Sequence, residues 1–287
     1  MSTRRPNPQH FPSYRNPSAK QKPTFGTDPQ RTQAARAFHR GAHTYQDVRP
    51  HYPPEVAELI AGAHRVADIG AGTGKLTESL TNPCVLAVEP SPDMARVLHR
   101  RLDVPIIRAT AEHTALADAS LNAACLAQTW HWVDVAAASA ELDRILAPGG
   151  RVLLVWNTLD VHADPWILRL SRIMHSGDVH KPGFYPEYRA PWTLDRELRL
   201  SWTHELTPEQ LHQLMHTRSY WLRNNEDIHE RMTHNLNWYL YEHMGFSAGQ
   251  KLHIPYRTDA FVLVREAEST RLLTGEPGPR GSRPHRR

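Results

Sequence analysis

Short apolar runs punctuated by glycine, proline and polar residues fill the middle of the chain. Arg65–Gly70 (RVADIG), Cys84–Glu89 (CVLAVE), Val104–Arg108, Leu121–Gln128 (LNAACLAQ) and Arg151–Trp156 (RVLLVW) are continuous rather than alternating, and short. That is the pattern of strands buried on both faces. Helical patterns lie between several of them. Lys75–Leu80 reads as the first turns of a helix, Met94–Leu102 follows Pro92-Asp93, and Val135–Leu146 closes at Pro148-Gly149-Gly150. Pro92 suits a first helical position, where its missing N–H is harmless, and the Asp93 carboxylate meets the positive end of the helix. Such alternation predicts an α/β fold with a doubly wound, mostly parallel sheet.

After Asn157 the pattern changes. Asp164–Met174 reads as a helix with Pro165 near its start, 177–195 as a loop region, and Glu197–Leu206 as a strand. Thr207-Pro208-Glu209-Gln210 is a helix start with a hydroxyl cap. Residues 226–244 read as a longer helix, and Leu252–Val264 contains a last strand. Among the aromatics of this region, Trp192, Trp221, Trp238 and Tyr241 are candidates for an apolar acceptor pocket, and Arg218 or Arg223 for meeting an acidic one.

Charge divides the 287 residues further. The net charge is +4, yet residues 1–36 hold seven basic groups against the single acid Asp28, and residues 270–287 hold five arginines against Glu276. The middle is therefore mildly acidic, and the basic character belongs to two tails. Both are rich in Pro, Gly, Ser and Arg and poor in aliphatics, which predicts disorder at 1–36 and 270–287 around a domain at 37–269. No apolar run is long enough for a membrane helix, and the N-terminus has no apolar leader core. Cys84 and Cys125 lie inside strand patterns, which fits a cytoplasmic protein with reduced thiols. The histidine pairs His39/His43 and His212/His216 lack further ligands at metal-site spacing, so no metal is expected.

The candidate chemistry sits at Val66–Leu76 (VADIGAGTGKL), where a strand pattern runs into Gly70, Gly72 and Gly74. Glycines there let a ligand approach the backbone closely. A P-loop would need glycine at Ile69 and a hydroxyl at Leu76, so that reading fails. The third glycine comes one residue early for a dinucleotide fingerprint. Glu89, at the end of the second strand, suits two ribose hydroxyls, a role shared by nicotinamide and other adenosine ligands.

With this loop, Val88-Glu89-Pro90-Ser91, Ala111-Glu112, Ala127-Gln128-Thr129-Trp130-His131-Trp132 and Leu146-Ala147-Pro148-Gly149-Gly150 follow in order, and Tyr45-Gln-Asp-Val-Arg49-Pro50-His-Tyr52-Pro53 precedes it. Over roughly residues 38–265 the chain resembles the class I S-adenosylmethionine-dependent methyltransferases, in the small-molecule branch that includes trans-aconitate methyltransferases. The resemblance implies a Rossmann-like seven-stranded sheet with one antiparallel strand near an edge, helical cap insertions at about 160–250, S-adenosylmethionine as cofactor and a small-molecule acceptor.

It also implies roles. Asp68 would lie near the methionine amino group, with Gly70, Gly72 and Gly74 forming the cofactor loop. Glu89 would take the ribose hydroxyls, Ser91 and Met94 would lie by the adenine, and Ala111 and Glu112 at its edge. Gln128 would border the ligand, His131 is the candidate base or wall residue at the methyl-transfer end, and Tyr45, Arg49 and Tyr52 would close over the cofactor. The chain departs from the family pattern at Thr110, where relatives often carry an acid. A nucleic-acid methyltransferase using the basic tails, a nicotinamide-dependent oxidoreductase and a non-catalytic binding module remain alternatives.

Overall fold

The computed structural model describes residues 48–176 and 180–266. The expectations for the two tails, and Tyr45, lie outside those residues. Seven strands form one sheet: β1 (Arg65–Ile69), β2 (Cys84–Val88), β3 (Ile106–Ile107), β4 (Leu121–Ala127), β5 (Leu146–Leu159), β6 (Trp192–Leu206) and β7 (Leu252–Arg265). Their order is β3-β2-β1-β4-β5-β7-β6. The first five are mutually parallel, and β7 runs antiparallel to both β5 and β6. One reversed strand near an edge is what the resemblance implied.

The continuous apolar runs are explained by the two cores they separate. On β5, Val152, Leu154 and Trp156 enter one core while Leu153 and Val155 enter the opposite one. Ala124 and Leu126 of β4, and Phe261 and Leu263 of β7, alternate in step with them. Alternation with period two on a sheet covered on both faces favours apolar residues at successive positions. Each such leucine contributes about 1.5–3 kcal/mol when fully buried.

Helices α1 (Pro54–Glu58), α2 (Pro92–Arg101) and α3 (Val135–Ile145) belong to the sheet region, and α4 (Pro165–Ile173), α5 (Pro208–His216), α6 (Ser219–Arg223) and α7 (Glu226–Asn237) to the part after β5. Ser91 caps α2 by accepting from Met94 N, Asp134 caps α3 through Ala137 N, and Thr207 and Gln210 make a reciprocal capping box on α5. Helices α4, α5 and α7 share a third core with the far ends of β5, β6 and β7, including Leu159, Leu206, Tyr239 and Ile254.

Three expectations are corrected. Lys75–Leu80 is not a helix but a single 3₁₀ turn at Thr77–Ser79. Thr77 there donates its hydroxyl to Asp68 and Ser79 donates to the Leu76 carbonyl, local bonds that compete with helix propagation. Strand β6 begins five residues earlier than its apolar pattern, because an edge strand with half-buried, charged positions carries a weak hydrophobic signal. The four aromatics proposed to form a pocket do not converge. Trp192 is buried in the sheet core with its indole N–H on the Ser139 carbonyl, and Trp221 stacks on His229. Trp238 is 37% exposed, and Tyr241 donates to Glu209.

Candidate active site at the carboxyl ends of the strands

Where β1 ends, Gly70, Gly72 and Gly74 all have positive φ, at 71°, 59° and 88°. They need glycine for different reasons. A Cβ on Gly70 would collide with Thr129, in the loop after β4. One on Gly74 would lie 2.9 Å from Leu102 Cδ1, where α2 ends. A Cβ on Gly72 would meet none of the described residues within 4 Å. Of the three, only Gly72 turns its bare side toward open space among the described residues, and the missing Cβ of Gly74 makes room for Leu98 and Leu102. Gly74→Ala is accordingly expected to lower stability by about 1–2 kcal/mol through left-handed strain. A lower urea midpoint at unchanged slope would record it, and an unchanged midpoint would mean the turn relaxes freely.

The loop closes on Glu89. Gly72 N donates to Glu89 Oε2 and Ser91 N to Oε1, both at 2.7 Å. The carboxylate is 5% exposed, and burial pushes its pKa up to about 7; the nearby Asp68 charge adds to the rise, while the two N–H bonds and Arg108 oppose it. Asp68 is fully buried, with Oδ2 accepting from Thr77 Oγ1 at 2.6 Å and Oδ1 without a hydrogen-bond partner among the described residues. Burial raises it to about 6 against the Thr77 bonds. Two buried carboxylates with raised pKa values close to one another are candidates for a functional site.

Met94 and Ala111 are buried behind this loop, and the Glu112 carboxylate accepts from Asp134 N at 2.9 Å. Thr110, the departure from the family pattern, is exposed. The neighbouring Thr114 is buried on Glu141, whose carboxyl its Arg144 partner holds down at about 2.

A cavity of about 410 Å³, its open mouth included, lies at the ends of β4 and β5. Arg49, Tyr52, Lys75, Gln128, Asn157 and Arg218 are among its walls. Lys75 directly follows the glycine loop, and Gln128 ends β4 with a φ of 54°, a left-handed backbone rare outside glycine. Such strain persists where the surroundings over-determine it. Here Gln128 Nε2 donates to the Asn157 carbonyl, Asn157 Nδ2 donates to the His51 carbonyl at 3.0 Å, and Thr258 Oγ1 donates to Asn157 Oδ1 at 2.6 Å. Trp202 Nε1 completes the chain on Thr258 at 2.8 Å. Gln128 Oε1 is left buried without a hydrogen-bond partner among the described residues.

His131 is not among the cavity walls. Its Nδ1 accepts from Trp156 Nε1 at 3.2 Å, and its ring packs on Trp132 and toward His180. With Nδ1 accepting, the neutral ring carries its proton on Nε2, so the lone pair a base needs is already engaged. In this arrangement His131 is held by Trp156 and packs among aromatic rings beside the cavity rather than lining it. Lys75, Asn157 and Tyr256, which do line the cavity, were not singled out from sequence. The available signal was Asn157, a polar side chain directly after the apolar run Val152–Trp156.

Residues 67–154 match the family described as a methyltransferase domain. An uncharacterised methyltransferase of Mycobacterium tuberculosis is 38% identical over 229 residues, covering 77% of this chain and 93% of that one. An uncharacterised methyltransferase-like protein of Schizosaccharomyces pombe is 29% identical over 247 residues, covering 80% and 96%. A solved structure from Anaeromyxobacter dehalogenans, described as a candidate type II methyltransferase, superposes with a TM-score of 0.55 at 22% identity over 75% of this chain and 97% of that one, a likeness of fold.

Proposed function

Because this chain belongs to the class I S-adenosylmethionine-dependent methyltransferases, we propose that it transfers a methyl group to a carboxylate or hydroxyl oxygen of a small molecule held in the cavity beside Gln128. The residues present fit the cofactor. Glu89 accepts two backbone N–H groups and still has lone pairs for both ribose hydroxyls, since an ionised carboxylate offers about four acceptor sites. The open side of Gly72 leaves room beside it, with the Gly70 backbone adjoining. Asp68 Oδ1 and Gln128 Oε1 are buried acceptors that a bound ammonium or hydroxyl would satisfy. Ser91 and Met94 would border the adenine, Ala111 and Glu112 its edge, and Arg49 and Tyr52 would close the methionine end.

The bound cofactor supplies a methyl group on a positively charged sulfur that leaves as a neutral thioether. What the chain must do is hold the acceptor in line and keep water out. The observation carrying the small-molecule reading is the cavity itself, an open recess at the ends of β4 and β5 walled by side chains from separate segments, Tyr52, Gln128 and Asn157 among them. The acidic body disfavours nucleic acid, and the basic tails lie outside the described residues. No helix among the described residues is long and apolar enough to cross a membrane.

Calorimetry with S-adenosylhomocysteine, and NAD as control, tests the cofactor site, with micromolar binding of the first alone expected. Incubation with S-adenosylmethionine labelled at the methyl group, metabolite pools and RNA or DNA then locates the label. Label in small molecules supports the proposal, whereas label confined to nucleic acid overturns it.

A further inference from the structure

Asn157 stands near the carboxyl end of β5, directly after Val152–Trp156, and is 4% exposed. Its register partner on β7 is the buried Thr258, and Trp202 on β6 lies diagonally across from Thr258. Donor and acceptor types fix how the Asn157 amide is turned. An indole N–H can only donate, so Trp202 occupies the Thr258 oxygen and leaves the single hydroxyl hydrogen for Asn157. The Asn157 atom facing Thr258 is therefore its oxygen. Its amino group is left facing the His51 carbonyl, which can only accept. An apolar residue of similar volume would suit so buried a strand position without the cost of desolvating an amide. What the amide adds is a tie to a segment 106 residues away. On one flank of His51, Arg49 Nε and Nη2 donate to the Thr217 hydroxyl and carbonyl at 2.9 and 3.0 Å, between α5 and α6. On the other, Tyr52 is a cavity wall. The Asn157 main chain makes a second tie. Its carbonyl takes the Gln128 Nε2 donor, which leaves Oε1 as the Gln128 atom available to a ligand.

Resting on the methyltransferase reading, we propose that Asn157 is a positioning residue for methyl transfer, whose side chain draws the Arg49–Tyr52 segment onto the strand ends while its carbonyl sets Gln128. It acts through His51 and Gln128 rather than on the reacting atoms, and keeps the closing segment and the floor of the site in one geometry. In-line transfer is sensitive to such placement, since a shift of about 1 Å in a reacting group can cost about a hundredfold in rate. Thr258, which is not among the cavity walls, and Trp202 extend the same chain of bonds to the edge strand, so the amide is oriented from a point remote from any ligand.

Hydrogen exchange on the cofactor-free chain and calorimetry with S-adenosylhomocysteine read the two halves of this role. Asn157→Asp keeps the acceptor for Thr258 but loses the donor, and sets a carboxylate oxygen against the His51 carbonyl. The peptide spanning Arg49–Tyr52 is then expected to exchange about tenfold faster, and S-adenosylhomocysteine to bind about tenfold more weakly. Thr258→Val should produce both changes in smaller measure, because the Asn157 amide is freed to turn. Thr258→Ser keeps the hydroxyl and should recover most of that loss. A role in packing alone predicts the opposite order, since valine fills the buried volume and serine leaves a gap. Circular dichroism establishes that each variant is folded, and the two Thr258 variants carry the test should Asn157→Asp not fold. Unchanged exchange in Asn157→Asp, faster exchange with wild-type affinity, or Thr258→Val binding as well as Thr258→Ser would each overturn the proposal. A wild-type chain that binds no S-adenosylhomocysteine, while the exchange responds as expected, would instead overturn the reading beneath it.

Discussion

Glu89→Gln is expected to weaken S-adenosylhomocysteine binding about a hundredfold while leaving the melting temperature nearly where it was. Hydrogen bonds to a charged group contribute about 1.5–3 kcal/mol each, and the substitution weakens two ribose contacts at once, for a net of about 3 kcal/mol. The fold is affected by two opposing terms. A carboxylate raised from 4.5 to about 7 by burial destabilises the cofactor-free protein by about 3 kcal/mol at alkaline pH, and the amide removes that cost. The amide also offers one acceptor where Gly72 N and Ser91 N now have two, and an orphaned buried N–H costs about 1–3 kcal/mol. The terms nearly cancel, so calorimetry and a thermal melt together separate a ligand role from a structural one. A variant with wild-type affinity would remove Glu89 from the site.

The same carboxylate gives the affinity a pH signature. Its folded pKa lies above its unfolded value, so its contribution to the cofactor-free fold is fully present below about 4.5 and lost as pH rises through about 7. Ribose hydroxyls donate to the charged form and reverse this. Binding should therefore be level above about pH 7.5 and weaken by up to tenfold per unit below about 7. In Glu89→Gln that break should vanish, leaving only one near pH 6 from Asp68. An identical profile in both proteins would place the titration elsewhere.

Gly72→Val is expected to abolish cofactor binding, by at least a hundredfold, in a chain that still folds. None of the described residues lies within 4 Å of the new Cβ, so the branched side chain would occupy the space beside Glu89 without clashing with the core. Its stability cost is the left-handed backbone at φ 59°, about 2 kcal/mol for a non-glycine residue. Gly74→Ala shares that left-handed cost and adds a side chain driven toward Leu98 and Leu102. Differential scanning fluorimetry with and without S-adenosylhomocysteine compares the two. Normal binding by Gly72→Val would show that the open side of this glycine is not the ligand's.

Local chemistry was enough for the sheet strands and the cofactor loop. Burial on two faces favours continuous apolar runs, so β1, β2, β4 and β5 are written in neighbouring residues, and Gly70, Gly72 and Gly74 announce a left-handed backbone that favours glycine. The same logic misled at Lys75–Leu80, where helical spacing lost to the Thr77–Asp68 bond, and it held no sign of the bond from Trp156 to His131, made by a strand 25 residues away. Three glycines at even spacing likewise looked equivalent until Thr129, Leu102 and open space distinguished them. The cavity was the least legible feature. Its cations come from residues 49, 75 and 218, and the Arg49–Thr217 contact joins positions 168 apart. Periodicity and spacing record what each residue does to its own segment, whereas the convergence of charges from distant segments exists only once the chain has closed around a common core.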